Sequence, residues 1–148
     1  MRVALDTNIL VYAEGVNGLF MKKAVLEILD QIPAEGTFIP VQVLGELFNV
    51  LVRKAKKTPE HAQEAMLKWQ DTFPLVETSP AILFAAADLA SHHNFSIWDS
   101  VVFSAAAAAG CRLLLSQDMQ EGFTWSGVTV TNPFSPTKHS LLTALLES

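Results

Sequence analysis

A chain of 148 residues has the length of one ordinary domain, since single cores usually form from about 100–200 residues. Half of the residues are apolar and only 17% are charged, against about 25% in typical soluble domains, so a sizeable core is expected, with apolar surface left for a partner or a second copy. Ten basic against fifteen acidic residues give a net charge of −5. That excludes nucleic-acid binding through a broad basic field; such a role needs a local basic patch or a metal.

Cys111 is the only cysteine, which excludes an internal disulfide and reads as a small buried apolar residue. Asp6 interrupts the segment where a signal peptide would need its apolar core. The longest apolar run, 101–115, contains Ser104 and Arg112 and falls short of the ~20 residues of a membrane helix. A soluble cytoplasmic protein without membrane association is the expectation.

Val3-Ala4-Leu5 reads as a short buried strand ending at Asp6, with a brief helix over 8–13 behind Thr7. Leu19, Val25, Ile28 and Ile32 then share one helical face, which Pro33 and Gly36 end. A second strand covers 37–39. Beyond Pro40, Val43, Leu44, Leu47, Phe48 and Leu51 predict an amphipathic helix that carries Glu46 and runs until Thr58-Pro59 stops it. A helix over 60–72, a strand over 75–78 and a helix over 81–90 follow. Asp99 is read as opening the next helix, through Ala109, with Gly110 as its left-handed cap. A strand over 112–115 ends at Ser116-Gln117-Asp118, and 128–130 is a last strand before Asn132-Pro133. Strands alternating with helices predict an α/β fold whose parallel sheet is covered on both faces.

Ligand chemistry in open α/β sheets gathers beyond the carboxyl ends of strands, and Asp6 and Asp118 both hold that position. Asp99, at a helix start, and Glu46, on the apolar half of another helix, are placed to reach the same rim. Each acid has a structural alternative. Asp6 can cap the following turn, Asp118 can be a turn acid, and Asp99 can favour the helix dipole. Glu46 is harder to assign that way, because an unpaired buried acid is costly. Together, crowded carboxylates must take up protons or hold a cation. All-oxygen ligation, without a cysteine or histidine cluster, suits Mg²⁺ or Mn²⁺ better than Zn²⁺, and such a site points to hydrolysis of a phosphate ester.

Four segments carry these acids: Val3-Ala-Leu-Asp-Thr-Asn-Ile-Leu10, Gly45-Glu-Leu-Phe-Asn-Val50, Ile97-Trp-Asp-Ser100 and Leu114-Leu-Ser-Gln-Asp-Met-Gln-Glu-Gly122. In this order they resemble the successive motifs of the PIN-domain family, most closely its VapC-like ribonuclease toxins, with a similar ending at Val128-Thr-Val-Thr-Asn-Pro-Phe134. The resemblance implies a three-layer α/β/α sandwich with a central, mainly parallel sheet over 1–134, and an extension over 135–148. It implies an Mg²⁺- or Mn²⁺-dependent endoribonuclease acting on RNA, with Asp6, Glu46, Asp99 and Asp118 as catalytic, metal-holding acids and Asn8 and Ser116 beside them. A toxin role, a cognate antitoxin and a homodimer are implied as well. Relatives that act in RNA processing, and a degenerate partner-binding module, are the alternatives. Gln117 stands where close relatives often carry an acid. Glu121 reads as an exposed turn acid and not as its replacement.

Arg53, Lys54, Lys56 and Lys57 form the one dense basic run. On a continuous helix Arg53 returns to the face of Glu46 about 10 Å along the axis, so Arg53, Lys54 and Lys57 are candidate RNA contacts; a solvated helix end is the alternative. Lys22-Lys23 is a lesser candidate. Phe95, Trp98 and Trp125 read as core before base-stacking residues. His92 and His93 read as surface, and His61 and His139 have no assigned role. The extension carries Leu141, Leu142, Leu145 and Leu146 on a short helix expected to pack on its own domain. A phosphoaspartyl hydrolase is disfavoured because Asn8 stands two residues after Asp6, where that chemistry wants an acid. A dinucleotide enzyme is disfavoured because no glycine-rich turn follows the first strand.

Overall fold

The computed structural model describes residues 1–148. Its centre is a six-stranded sheet made of β1 (Val3–Leu5), β2 (Thr37–Pro40), β3 (Leu75–Val76), β4 (Leu113–Leu115), β5 (Thr124–Trp125) and β6 (Val128–Thr131). Across the sheet the order is β3-β2-β1-β4-β6-β5. All pairs are parallel except β5 with β6. The helices are α1 (Thr7–Ala13), α2 (Leu19–Gln31), α3 (Val41–Arg53), α4 (Pro59–Thr72), α5 (Pro80–His92), α6 (Ile97–Ala108) and α7 (Ser140–Glu147).

The central strands β1 and β4 are buried throughout, which is why Val-Ala-Leu and Leu-Leu-Leu show no alternation: helices cover both faces. The chain moves outward from β1 to β2 and β3, then returns past β1 to β4. Right-handed crossovers therefore lay α1 to α4 over one face and α5 and α6 over the other. The reversal leaves a crevice at the carboxyl ends of β1 and β4, where Leu5 is in register with Leu115 and ligand sites of such sheets form. In α6 every residue from Ser100 to Ala106 is buried, including the small polar Ser100 and Ser104, so the middle of this helix lies within the core. Cys111 is buried. The expected α/β sandwich is present.

Several boundaries differ from the sequence reading. The α3 helix ends at Arg53, with Lys54 as its cap, and Lys56 adopts a positive φ of 57° that no helix continues through. The chain has thus left the helix before Thr58, whose hydroxyl instead caps α4 by accepting from His61 N–H at 3.1 Å. The basic run straddles this break. The α6 helix starts two residues before Asp99, because Ser96 is the cap and its Oγ accepts from Asp99 N–H at 3.1 Å. Strand β3 spans Leu75–Val76 only. The β5–β6 hairpin escaped the sequence reading, although Ser126-Gly127, with φ of 50° and 82°, supplies the two left-handed residues of a tight hairpin turn. In the tail, Leu142 and Leu145 of α7 join the core. No helix is long and apolar enough to cross a membrane.

Candidate active site

The crevice between β1 and β4 gathers the acids. Asp6 ends β1 and caps α1, its Oδ1 accepting from Thr7 N–H at 2.7 Å. Its structural and functional readings are therefore compatible. From the neighbouring strand end, Ser116 Oγ donates to Asp6 Oδ2 at 2.6 Å and accepts from Asp118 N–H at 3.2 Å. Asn8 joins the two segments. Its Nδ2 lies 3.4 Å from Asp6 Oδ2, 3.4 Å from Ser116 Oγ and 3.2 Å from Asp118 Oδ2, while its Oδ1 accepts from Gln117 N–H at 3.1 Å. Glu46, half-buried on α3, accepts a short hydrogen bond from Thr7 Oγ1 and one of 3.2 Å from Gln42 Nε2. Asp99 enters from the first turn of α6.

Asp6 is only 4% exposed, and burial pushes its carboxyl from 3.8 up to about 7. The Ser116 and Thr7 hydrogen bonds oppose that rise, and the charges of Asp99 and Glu46 add to it. Asp99 is also raised, first by burial and then by Glu46 and Asp118. Tyr12 is raised by burial and by Asp118; its hydroxyl donates a short hydrogen bond to Gln117 Oε1. Asp99 thus links the acids: it lies within electrostatic range of Asp6, Glu46 and Asp118. No lysine or arginine pairs with any of them, the one ion-pair contact of the chain being His92 with Asp88. No three of them are close enough to close around one ion. The donor set fits a hard divalent cation, in an open arrangement and not a finished cage.

Two cavities flank the acids and share Asp118. One, of about 420 Å³, is lined by Glu46, Asn8, Tyr12, Asn17 and Lys54. Of the basic run only Lys54 reaches it, because Glu46, Val50 and Lys54 stand four residues apart on one helical stripe, Lys54 N–H still bonding Val50 C=O. Arg53 and Lys57 are exposed and line none of the main cavities. The other cavity, of about 280 Å³, sets His93, Asn94 and Gln120 beside Asp99 and Asp118. His93 is exposed, as the sequence predicts, and also lines this cavity. Glu121 is not a site acid: its two oxygens accept from Thr131 Oγ1 at 2.9 Å and Asn132 N–H at 2.7 Å, tying down the loop before β5. Phe95 and Trp125 pack in an aromatic cluster with Phe103, whereas Trp98 is 55% exposed.

The strand order, the acids at its reversal and the extent of the match define the class: the PIN-domain family model matches residues 3–120, and the chain belongs to that family. No functionally curated protein matches it in sequence. Among solved structures it is similar to the Mycobacterium tuberculosis toxin VapC20, described as cleaving the sarcin-ricin loop, with a TM-score of 0.66 and 17% identity over 78% of this chain and 89% of that one. A toxin–antitoxin complex from Klebsiella pneumoniae gives a TM-score of 0.68 and 18% identity over 89% and 98% of the two chains. VapBC2 from Rickettsia felis, bound to a promoter DNA fragment, gives 0.65 and 21% over 89% and 98%. At such identities these likenesses concern the fold.

Proposed function

We propose that this chain is a divalent-metal-dependent endoribonuclease and the toxin of a toxin–antitoxin pair. The observation that carries the reading is the set of four mutually repelling carboxylates, without a basic partner, at the strand-order reversal of a PIN fold. Asp6, Asp99, Asp118 and Glu46 are the residues to hold Mg²⁺ or Mn²⁺. When bound, the cation neutralises the acids and supplies Lewis-acid activation for hydrolysis of a phosphodiester.

The chain's own groups do the positioning. Ser116 and Thr7 fix the Asp6 carboxyl from both sides, Thr7 also holds Glu46, and Asn8 sets the spacing between Asp6 and Asp118. Lys54, across the larger cavity from the acids, meets a backbone phosphate of the bound strand. The partner proposed is an antitoxin. The exposed Leu19, Phe20 and Leu26 of α2, beside a groove of about 930 Å³ in which Lys22, Lys23 and Lys68 are matched by Glu14, Glu27 and Asp30, suit an amphipathic segment of mixed charge. A homodimer is proposed to cover further apolar surface, such as Phe84.

The test is purified protein with Mn²⁺ and a panel of labelled RNAs, alongside Asp6→Asn and Asp99→Asn. The reading requires internal cleavage that chelator and either substitution abolish. Cleavage surviving both substitutions, or none by the unaltered protein, rejects the catalytic assignment. Growth arrest on expression, relieved by Asp6→Asn and by co-expression of a neighbouring gene product that co-purifies, tests the toxin assignment.

A further inference from the structure

Beside Asp99 and Asp118 lies the cavity of about 280 Å³, near the lower end of the ~300–1,000 Å³ typical of small-molecule clefts. We infer that it is a nucleobase subsite, taking one unpaired base next to the phosphodiester presented to the acids. The inference rests on the ribonuclease reading above.

The only carboxylates or basic groups on its walls are Asp99, Asp118 and the imidazole of His93; no lysine or arginine contributes. With Asp99 and Asp118 committed to the cation, the remaining polar walls are two amides, a hydroxyl and an imidazole, with no lysine or arginine to clamp a phosphate, a set that suits a neutral polar ring. Its walls match that chemistry. The side chains of His93, Asn94 and Gln120 are exposed and engaged in no hydrogen bond within the chain. The two amides each present a donor and an acceptor, the combination that reads a base edge in bidentate fashion.

Behind them is a fixed aromatic wall. The His93 ring stands edge-on to Phe123 at 5.1 Å, and Phe95 meets Phe123 at 4.8 Å. Both Phe95 and Phe123 lean on the fully buried Phe103, at 6.0 and 5.7 Å. The His93 ring is thus held on a fixed base, while the exposed Asn94 and Gln120 amides are left free to turn toward a bound base. Asp118 borders both this cavity and the one that holds Lys54. A single strand crossing the acids meets Lys54 with a phosphate on one side and offers a base to His93, Asn94 and Gln120 on the other. Single-stranded RNA, whose bases can be splayed from the strand, is the substrate form that suits it.

The probe is a set of 2′-O-methyl hexanucleotides, resistant to cleavage and varied one base at a time, with binding read by fluorescence anisotropy. The unaltered protein is expected to prefer one base at one position by about tenfold, in keeping with a bidentate amide contact. The double variant Asn94→Ala, Gln120→Ala, altered only at exposed side chains, is expected to bind the preferred oligonucleotide as weakly as the others. Lys54→Ala should weaken all of them alike. Equal binding of all sequences by the unaltered protein, no binding of any, or a preference that survives the double variant overturns the subsite. Cleavage of natural RNA is measured in parallel. Base preference without cleavage sinks the nuclease reading alone, and cleavage without base preference sinks this inference alone.

Discussion

Asp6 couples the site to the stability of the whole chain. In the folded metal-free protein its carboxyl keeps a proton up to about pH 7, whereas the unfolded chain releases it near 3.8. Between those values the folded state binds more protons than the unfolded one, so stability falls as pH rises through that window, and the loss is complete above about pH 7. The separation from 3.8 to about 7, at about 1.4 kcal/mol per factor of ten, comes to about 4 kcal/mol. That is a large part of the ~5–15 kcal/mol that holds a domain together. Replacing Asp6 by Asn removes the charge and keeps one acceptor oxygen for Thr7 N–H, with an amide NH2 in place of the oxygen that accepts from Ser116. The assay is urea denaturation in chelator from pH 4.5 to 8.5. The two proteins should be close in stability at the acid end, and the Asn variant should be the more stable by several kcal/mol at the alkaline end. Saturating Mg²⁺ or Mn²⁺ should recover about 3 kcal/mol for the unaltered protein at a hundred times its dissociation constant and far less for the variant. A difference between the two proteins that stays flat with pH would refute the claim that Asp6 is buried against its own charge.

Other outcomes follow from the same geometry. Ser116→Ala leaves Asp6 without its closest side-chain donor and should lower metal affinity or cleavage by about 10–100-fold, measured by titration calorimetry and initial rates. Lys54→Ala should weaken RNA binding and reduce the salt slope by about one, whereas Arg53→Ala, outside the cavity, should leave the slope unchanged in the same binding series. In the tail, Leu142→Ala empties a fully buried position and should cost about 2–5 kcal/mol by urea denaturation.

The positions of the acids were legible for a physical reason: each stands near a strand end or on a helix turn whose position the hydrophobic pattern reveals. Asp6 directly follows one apolar triplet and Asp118 stands three residues beyond another, and parallel strands place such ends along one edge. The basic run was less legible: Lys54 shares the cavity with Glu46 and Val50 at four-residue spacing whereas Arg53 does not, and the left-handed Lys56, which turns the rest of the run off the helix, is a conformation the local pattern does not announce. His93 was legible as a surface residue, but its place beside the acids was not. Its position arises when the loop between α5 and α6 closes over Phe123, a residue 30 positions further along the chain. The hairpin turn at Ser126-Gly127 carried a readable signal in its dipeptide, hidden by the shortness of β5.

Asp6 and Ser116 are separated by 110 positions, yet share the hydrogen bond on which the site is built. During synthesis the first acid leaves the ribosome long before the segment that completes its surroundings, so no cluster exists until β4 slides in beside β1. A chain halted before that step lacks the cluster, so the gathering of the acids is a product of the late closure of the sheet.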